Sequence, residues 1–153
     1  MPAPLIGTTR ELVLSTLEAR LAVHLASSML LSPLPVFLRE QDGPDALPEG
    51  GLVILRDGSP GEPEVMLSPL TYLYEHRAEI DVMVAGEDRI RRFDLICAAI
   101  GLALPAGDTL NGLCDWIEAQ APEPVAIVTE GAETVKAASI AVILTYSSPS
   151  PLT

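Results

Sequence analysis

The side chains best suited to chemistry, two cysteines and two histidines, are scattered along this sequence. The chain contains Cys97, Cys114, His24 and His76 but no C-x-x-C motif, so it lacks the usual spacing of a zinc site. Cys97 falls within an apolar helical pattern, where burial would disfavour a thiolate and hence a Cys97–His76 nucleophilic pair. No G-x-S-x-G motif occurs. We expect free thiols, because no secretory signal pattern precedes them.

Acidic clusters in loop-like segments offer the other possible chemistry. Asp42, Asp45 and Glu49 form one cluster, and Glu62 and Glu64 form another. Either could weakly hold a divalent cation, although acids spaced by prolines are typically solvated. A carboxylate dyad forms only in three dimensions, so a small acidic hydrolase stays open as an alternative. We predict no catalytic residue, no cofactor, no metal site and no enzymatic activity.

The charge balance excludes two classes of partner. The 153 residues include 21 acidic and 9 basic side chains, a formal net charge of −12, and Lys136 is the only lysine. Wrapping nucleic acid requires many basic side chains, and anionic lipid repels an acidic chain. No apolar run is long enough to span a bilayer. Aromatic residues make up only 4% against 48% hydrophobic residues, a balance that suits a core and flat contacts between identical subunits.

The first third of the chain predicts one helix followed by short strands. Thr8 or Thr9 can cap a helix that runs to about Ser28. Its apolar stripe is formed by Leu14, Leu17, Leu21 and Leu25, and His24 beside it is expected to be a core-edge histidine with one hydrogen bond. Prolines then end the helix. The expected strands are Val36–Arg39, Leu52–Leu55 and a return strand Glu64–Leu67 after an Asp57-Gly58 turn.

A long alternation from Tyr72 to Val84 predicts a half-exposed strand, because side chains alternate between the faces of a sheet. One face carries Tyr72, Tyr74, His76, Ala78, Ile80, Val82 and Val84. The other carries Glu75, Arg77, Glu79 and Asp81. The charged row is interpreted either as an electrostatic surface or as a solvated sheet face.

Two further helices are expected after this strand. Asp88 can cap the first, in which Ile90, Phe93, Cys97, Ile100 and Leu104 share a face. Its first turn carries Arg89, Arg91 and Arg92, which oppose the helix dipole; they could contact an acidic partner or cover apolar surface. Asp108 could cap the second helix, which would end near Pro122 with Leu110, Leu113 and Ile117 inward.

The chain closes with an expected hairpin formed by Val125–Glu130 and Val135–Tyr146. Both faces of the second strand are apolar, which is typical of a strand between a helix layer and another surface. The predicted fold class is α+β, with a mainly antiparallel sheet and helices packed on one face. We expect a flexible arm over residues 1–7, a single domain over 8–147 and a flexible tail over 148–153.

In its order of elements the chain resembles the tail terminator, or tail completion, proteins of long-tailed bacteriophages and related prophage particles. The resemblance rests on the opening helix Glu11–Ser28, the strand Tyr72–Val84, the helix start Glu87–Phe93 and the closing strand Ala137–Tyr146. It covers about three quarters of the chain as an order of elements rather than an invariant motif, and the region Gln41–Pro69 supports it least.

The resemblance implies a virion structural protein at the head–tail junction, assembled in the host cytoplasm. Such proteins form a ring, commonly of six copies, that caps the tail tube, ends tube polymerisation and provides the surface for the head-completion or neck protein. A ring needs two complementary patches on each copy, and Ile140, Val142 and Leu144 are the candidate subunit interface. DNA passes through the lumen without specific binding, so acidic Glu75, Glu79 and Asp81 are candidate lumen residues. Arg89, Arg91 and Arg92 are candidate partner contacts.

Three other functions stay open. The chain could be a neck or head-completion protein of the same particle, which would bind the portal side instead of the tube. It could be the small acidic hydrolase considered above. It could also be an ordinary cytoplasmic interaction module. Native mass, binding to tail tubes and a search for a deep acidic pocket would discriminate these functions.

Overall fold

A computed structural model describes residues 7–43, 46–125 and 134–153 of the chain. Two helices and one seven-stranded sheet make up the described part. In chain order the elements are α1 (Thr9–Ser27), β1 (Val36–Arg39), β2 (Leu52–Ser59), β3 (Glu64–Leu67), β4 (Leu70–Ala85), α2 (Arg89–Ala103), β5 (Trp116–Ala119), β6 (Glu123–Pro124) and β7 (Val135–Ser148).

The sheet is mainly antiparallel, as the sequence predicts. Its strand order is β1-β2-β4-β7-β5, with β3 added to β4 and β6 to β7. Only β1 and β2 run parallel within the described residues. The central pair, β4 and β7, stays in register from Tyr72↔Ser148 to Ala85↔Val135. This long ladder forms the centre of the sheet.

The helices and the core lie on one face of this sheet, which confirms the predicted α+β class. The predicted stripe of α1 is fully buried, and the apolar side chains of β4 face it. Thr8 caps α1, because its Oγ1 accepts a hydrogen bond from the backbone N–H of Glu11 at 3.1 Å. Below, the opposite side of the sheet is called the open face, although Leu52 and Ile54 of β2 are buried on it.

Helix α2 begins after Asp88, as predicted, but the expected capping hydrogen bond is not made. The Asp88 carboxylate instead lies 3.3 Å from Nη2 of Arg92. The buried face of α2 is also rotated, since Ile96 and Ala99 are buried while Ile90 is exposed. Spacing alone could not distinguish these faces, because α2 is apolar around much of its circumference.

The predicted third helix is wrong. Asp108 accepts hydrogen bonds from the N–H groups of Thr109 and Leu110, and Leu110 and Asn111 then adopt positive φ angles of 46° and 61°. This left-handed turn cannot continue as an α-helix. The chain instead enters β5, which pairs with β7 and takes the edge position next to it. Leu110 and Ile117 do face inward, as expected.

Two predicted strand arrangements are also corrected. Strand β2 continues through the Asp57-Gly58 pair to Ser59 instead of turning there, so β3 returns along β4 and not along β2. The strand β7 is confirmed and extends to Ser148. Most of its predicted hairpin partner, 126–130, lies outside the described residues, as does Asp45 of the first acidic cluster.

The predicted start of the C-terminal tail falls inside β7, because Ser148 is a buried residue of that strand. Beyond it, the carbonyl oxygen of Thr153 accepts a hydrogen bond from the N–H of Thr9 at 2.6 Å. First-turn N–H groups of a helix have no partner within the helix, so this contact satisfies one of them. Residues 1–6 of the predicted arm lie outside the described part of the chain.

Neither of the two described helices has the length and apolarity that a membrane crossing requires.

Candidate interaction surfaces

The predicted charged row lies on the open face of the sheet. Along β4, burial alternates residue by residue, and Glu75, Glu79 and Asp81 all point away from the helices. The alternation therefore placed these three side chains together correctly. Their spacing along one strand produces a line of charged side chains on the open face.

Two arginines modify the charge of that row. Nε of Arg77 lies 3.8 Å from Glu79, and Nε of Arg56 lies 3.1 Å from the carboxylate of Asp81. Among the described residues Glu75 makes no ion pair and is exposed. The row is thus mixed in charge, with its unpaired carboxylate nearest the start of β4.

The residues predicted as a subunit interface on β7 do not lie on the surface. Ile140, Val142 and Leu144 are buried beneath the helices of their own chain, because these residues share the face that packs into the core. The sequence showed two apolar faces on this strand but could not say which one the helices cover. On the other face of β7, Ala137 and Ala141 are buried as well, and Ser139, Ile143 and Thr145 are half-buried.

The three candidate contact arginines have different environments. Arg92 is only 13% exposed, and its guanidinium donates to the carbonyl oxygens of Pro33 at 3.0 Å and Ser32 at 3.3 Å. Arg92 therefore fastens the segment after α1 to α2, which leaves little of its guanidinium for a partner. Arg89 donates to the carbonyl of Gly86 at 3.0 Å. Arg91 is exposed and makes no ion pair among the described residues.

An apolar groove, called here the helix groove, lies between the C-terminal part of α1 and the outer side of α2. Its volume is about 190 Å³, and its lining residues are His24, Ser27, Ser28, Leu30, Leu95, Ala98, Ala99 and Leu102. Nδ1 of His24 lies 3.0 Å from the carbonyl oxygen of Arg20, the single hydrogen bond expected of a core-edge histidine. The sequence did not predict the groove, because it depends on how the two helices cross.

A second apolar surface, called here the hairpin tip, consists of Val65, Met66, Leu67 and Leu70. These side chains are exposed although they lie in the β3–β4 hairpin. The hairpin projects past the end of β2, since β2 pairs with β4 only from Arg77 onward and β3 pairs with residues 70–73. Large exposed apolar side chains grouped in this way are typical of contact surfaces.

A buried polar network connects the start of the sheet to α1. His76 is fully buried, with Nδ1 2.9 Å from the hydroxyl of Tyr146 and Nε2 2.5 Å from the carbonyl oxygen of Asp57. Burial holds the pKa of His76 below its ordinary value, so the imidazole is neutral near pH 7. The sequence placed His76 on the apolar face but could not identify these partners, which come from β2 and β7.

Arg39 occupies the outer part of the same region. Its guanidinium donates two hydrogen bonds of 2.8 Å to Glu11 and bonds of 2.8 and 3.1 Å to Asp57. The hydrogen bonds from Arg39 lower the pKa of Glu11, and the two carboxylates raise the pKa of Arg39. With its donors occupied in this way, Arg39 joins α1, β1 and β2 and is not available to a ligand.

The two cysteines are partly or fully buried thiols. Burial raises the pKa of Cys97 to about 11 and that of Cys114 to about 12, which keeps both thiols protonated. Among the described residues, no three His, Cys, Asp or Glu side chains come close enough to hold a metal ion. A cleft of about 390 Å³ contains the ion-paired Asp88 and Arg92.

Comparison with known proteins adds no family. No protein-family model matches the chain, and no curated protein matches its sequence.

Proposed function

We propose that this protein is a tail terminator of a long-tailed bacteriophage or related prophage particle. In this role, copies of the chain form a ring, of six subunits in the favoured arrangement, on the end of the finished tail tube. The ring ends tube polymerisation and provides the surface that joins the tail to the head-completion protein. The protein is then a structural component of the virion and not an enzyme.

The observation that supports this proposal most is the two-sided character of the β4–β7 ladder. One side is filled by the helices and the core, whereas the open face carries the charged row of Glu75, Glu79 and Asp81. A charged sheet face is suited to line a channel once copies are arranged around an axis. With Arg56 and Arg77 counted, the row keeps one net negative charge, and a negative wall would repel DNA, so that it passes without binding.

Separate apolar surfaces for neighbouring subunits support a ring as well. The hairpin tip and the helix groove are different surfaces of one chain, which is what head-to-tail assembly requires. They take the place of the buried β7 residues as the candidate subunit interface.

The decisive experiment is the native mass of the purified protein over a range of concentrations, with negative-stain images of the same sample. A species near six times 16.2 kDa that images as an open ring is the expected result. The same protein should bind the ends of purified tail tubes. A monomer at every concentration that also fails to bind tube ends would overturn the proposal.

A charge-reversal series tests the lumen assignment. Changing Glu75, Glu79 and Asp81 together to lysine should leave tube binding intact and reduce DNA delivery, since DNA would adhere to a basic wall. Asp42→Lys, an exposed change in the loop after β1, is the matched control. Unchanged DNA delivery by particles carrying the triple reversal would contradict the lumen assignment.

A neck or head-completion role in the same particle is the alternative. The fold alone does not determine whether the protein binds the tail tube or the portal side. Binding assays against tail-tube and portal-side proteins separate the two roles. Arg91→Ala identifies the relevant surface: tube or neck binding that depends on Arg91 assigns this exposed arginine to that contact. The hydrolase alternative has no buried carboxylate pair in support among the described residues.

A further inference from the structure

Two apolar surfaces of the described chain have no partner within it. The hairpin tip exposes Leu67 to 82%, and the helix groove exposes Leu102 to 74%. Leu67 lies beside exposed Met66 and Leu70, and Leu102 shares the groove with exposed Leu30, so each belongs to an apolar group typical of contact surfaces. Their positions, charges and shapes are complementary.

The two surfaces lie toward opposite ends of the molecule. Strand β4 has 16 residues, about 50 Å in length, and the hairpin tip lies at its start. Helix α1 also begins at that end, because Thr9 bonds Thr153 just beyond the Ser148↔Tyr72 pair. The segment after α1 is fastened to Arg92 near the other end of β4. The hairpin tip and the part of the groove that α1 contributes are therefore separated along the molecule.

The shapes of the two surfaces match as a projection and a recess. The β3–β4 hairpin extends past β2 with apolar side chains on both of its faces, so it can enter a groove without burying a charge. The lining of the helix groove includes the small residues Ala98 and Ala99 as well as Leu30, Leu95 and Leu102. Small residues on a helix allow another backbone to approach closely.

The charges beside the two surfaces are also complementary. Arg91 precedes Leu95, Ala98 and Leu102 by four, seven and eleven residues, so it lies on the same side of α2 at one end of the groove. It makes no ion pair among the described residues, whereas Arg20, Arg39, Arg56, Arg77 and Arg92 each do. The hairpin begins at exposed Glu64 and is preceded by exposed Glu62. In a chain of net charge −12, a free arginine matched to these glutamates favours an acidic partner such as a second copy.

We propose that the hairpin tip of one copy packs into the helix groove of the next copy, with Glu64 near Arg91. The contact is heterologous, because it uses a different surface on each partner, and such contacts close into rings when the rotation allows. This inference rests on the ring proposed above and gives it a subunit interface. It also accounts for two exposed apolar surfaces with a single contact.

A mixed cross-linking experiment tests the contact directly. Full-length protein carrying Leu67→Cys is mixed with full-length protein carrying Leu102→Cys under mild oxidation. The expected product is a disulfide-linked dimer in the mixture, and much less in either variant alone. The two single-variant samples are the matched controls, since each also contains native Cys97 and Cys114. Equal cross-linking in all three samples, or none in the mixture, would overturn the proposed contact.

Substitutions at the same sites provide the second readout. Leu67→Asp and Leu102→Asp should each raise the concentration needed for half-assembly by about tenfold to a hundredfold, since each places a charge in an apolar contact. Leu152→Asp, at a residue 78% exposed in the C-terminal turn, is the control and should change assembly little. Circular dichroism and thermal unfolding verify that each variant folds. Assembly unaffected by both substitutions would contradict the interface.

A charge swap tests the pairing of Glu64 with Arg91. Arg91→Glu should weaken assembly about two- to fivefold, the size of a surface ion pair, and adding Glu64→Arg should restore it. Absence of restoration would exclude this pair from the contact.

The outcomes separate this inference from the proposed function. Rings that form and bind tube ends without a mixed cross-link would overturn the contact and leave the terminator role standing. A mixed cross-link in a protein that never binds tube ends would support the contact and contradict the terminator role.

Discussion

Nδ1 of His76 lies 2.9 Å from the hydroxyl of Tyr146, within the enclosed space between β4, β7 and α1. Nε2 of the same ring lies 2.5 Å from the backbone carbonyl of Asp57, which can only accept a hydrogen bond. Nε2 therefore carries the proton, and Nδ1 accepts from the hydroxyl of Tyr146. Both ring nitrogens are satisfied in the neutral imidazole, and burial disfavours the charged form by lowering the pKa of His76, which links the stability of the fold to pH.

Removal of the Tyr146 hydroxyl should destabilise the protein. In Tyr146→Phe, Nδ1 of His76 stays buried and loses its donor, which costs about 1–3 kcal/mol in the free energy of unfolding. Urea denaturation at pH 7.5 measures the loss. Tyr72→Phe, at a half-buried position on the same face of β4, is the control and should be nearly neutral. Equal effects of the two substitutions would show that the His76–Tyr146 bond contributes nothing specific.

Protonation of His76 should destabilise the fold below its ordinary pKa of 6.5. Burial lowers the pKa of the folded state, reinforced by nearby Arg10 and opposed by the Asp57 carbonyl and carboxylate. The unfolded chain consequently binds the proton first as pH falls, so stability is complete above pH 6.5 and decreases below it. The free energy of unfolding should therefore fall progressively from pH 6.5 to 5, measured by urea denaturation.

The pH window separates this effect from that of the carboxyl groups. Glu11 and Asp108 also have lowered pKa values, because of Arg39 and because of hydrogen bonds from Leu110 and Thr109, but their ordinary values are 4.5 and 3.8. His76→Gln should flatten the slope between pH 5 and 6.5. Direct NMR titration of the His76 ring decides the matter if that variant does not fold: a pKa at or above 6.5 would contradict the prediction.

Periodicity predicted the parts of this fold that depend on local side-chain order. The leucine stripe of α1 and the alternation of β4 each have one apolar face, and one face is enough to orient an element. Periodicity could not orient β7. Because both of its faces are apolar, only the position of the helices decides that Ile140, Val142 and Leu144 are core and not interface.

The missed features depend on contacts between residues far apart in the sequence. The groups around His76 come from Asp57 and Tyr146, which are 19 and 70 residues away. Arg92 is equivalent to Arg89 and Arg91 in sequence, and only its hydrogen bonds to the carbonyls of Ser32 and Pro33 distinguish it. The third helix failed for a local reason: the left-handed turn at Leu110 and Asn111 has no glycine at either position to indicate it.

Arg39 should be replaceable neither by an apolar residue nor by lysine. Its planar guanidinium contacts Glu11 and Asp57 at once, which a lysine ammonium cannot reproduce in the same geometry. Arg39→Met and Arg39→Lys should each lower the free energy of unfolding by about 1–3 kcal/mol. Arg77→Met is the matched control at under about 0.5 kcal/mol, because its pair with Glu79 is half-exposed and 3.8 Å apart. Full stability of Arg39→Lys in urea denaturation would show that charge alone suffices.

Gly58 and Gly61 form a pair that separates steric overlap from backbone conformation. Both have a φ of +69°, which disfavours any L side chain by about 1–2 kcal/mol. A Cβ on Gly58 would overlap the carbonyl oxygen of Arg77, whereas a Cβ on Gly61 would find its nearest neighbour, the Glu75 carbonyl oxygen, at 4.0 Å. Gly58→Ala must therefore displace β2 from β4 where their register already shifts, between Arg56 and Ser59. The same movement carries the Asp57 carbonyl away from His76.

Gly61→Ala should cost only the conformational penalty, and Gly58→Ala should cost at least about 2 kcal/mol more. Thermal or urea unfolding of the two variants side by side measures the difference. Gly58→Ala also disturbs the carbonyl that accepts from Nε2 of His76. Solvent should then reach the ring more easily, and NMR should show faster exchange of the ring N–H. Equal destabilisation by the two substitutions would mean that β2 absorbs the added methyl group without moving away from β4.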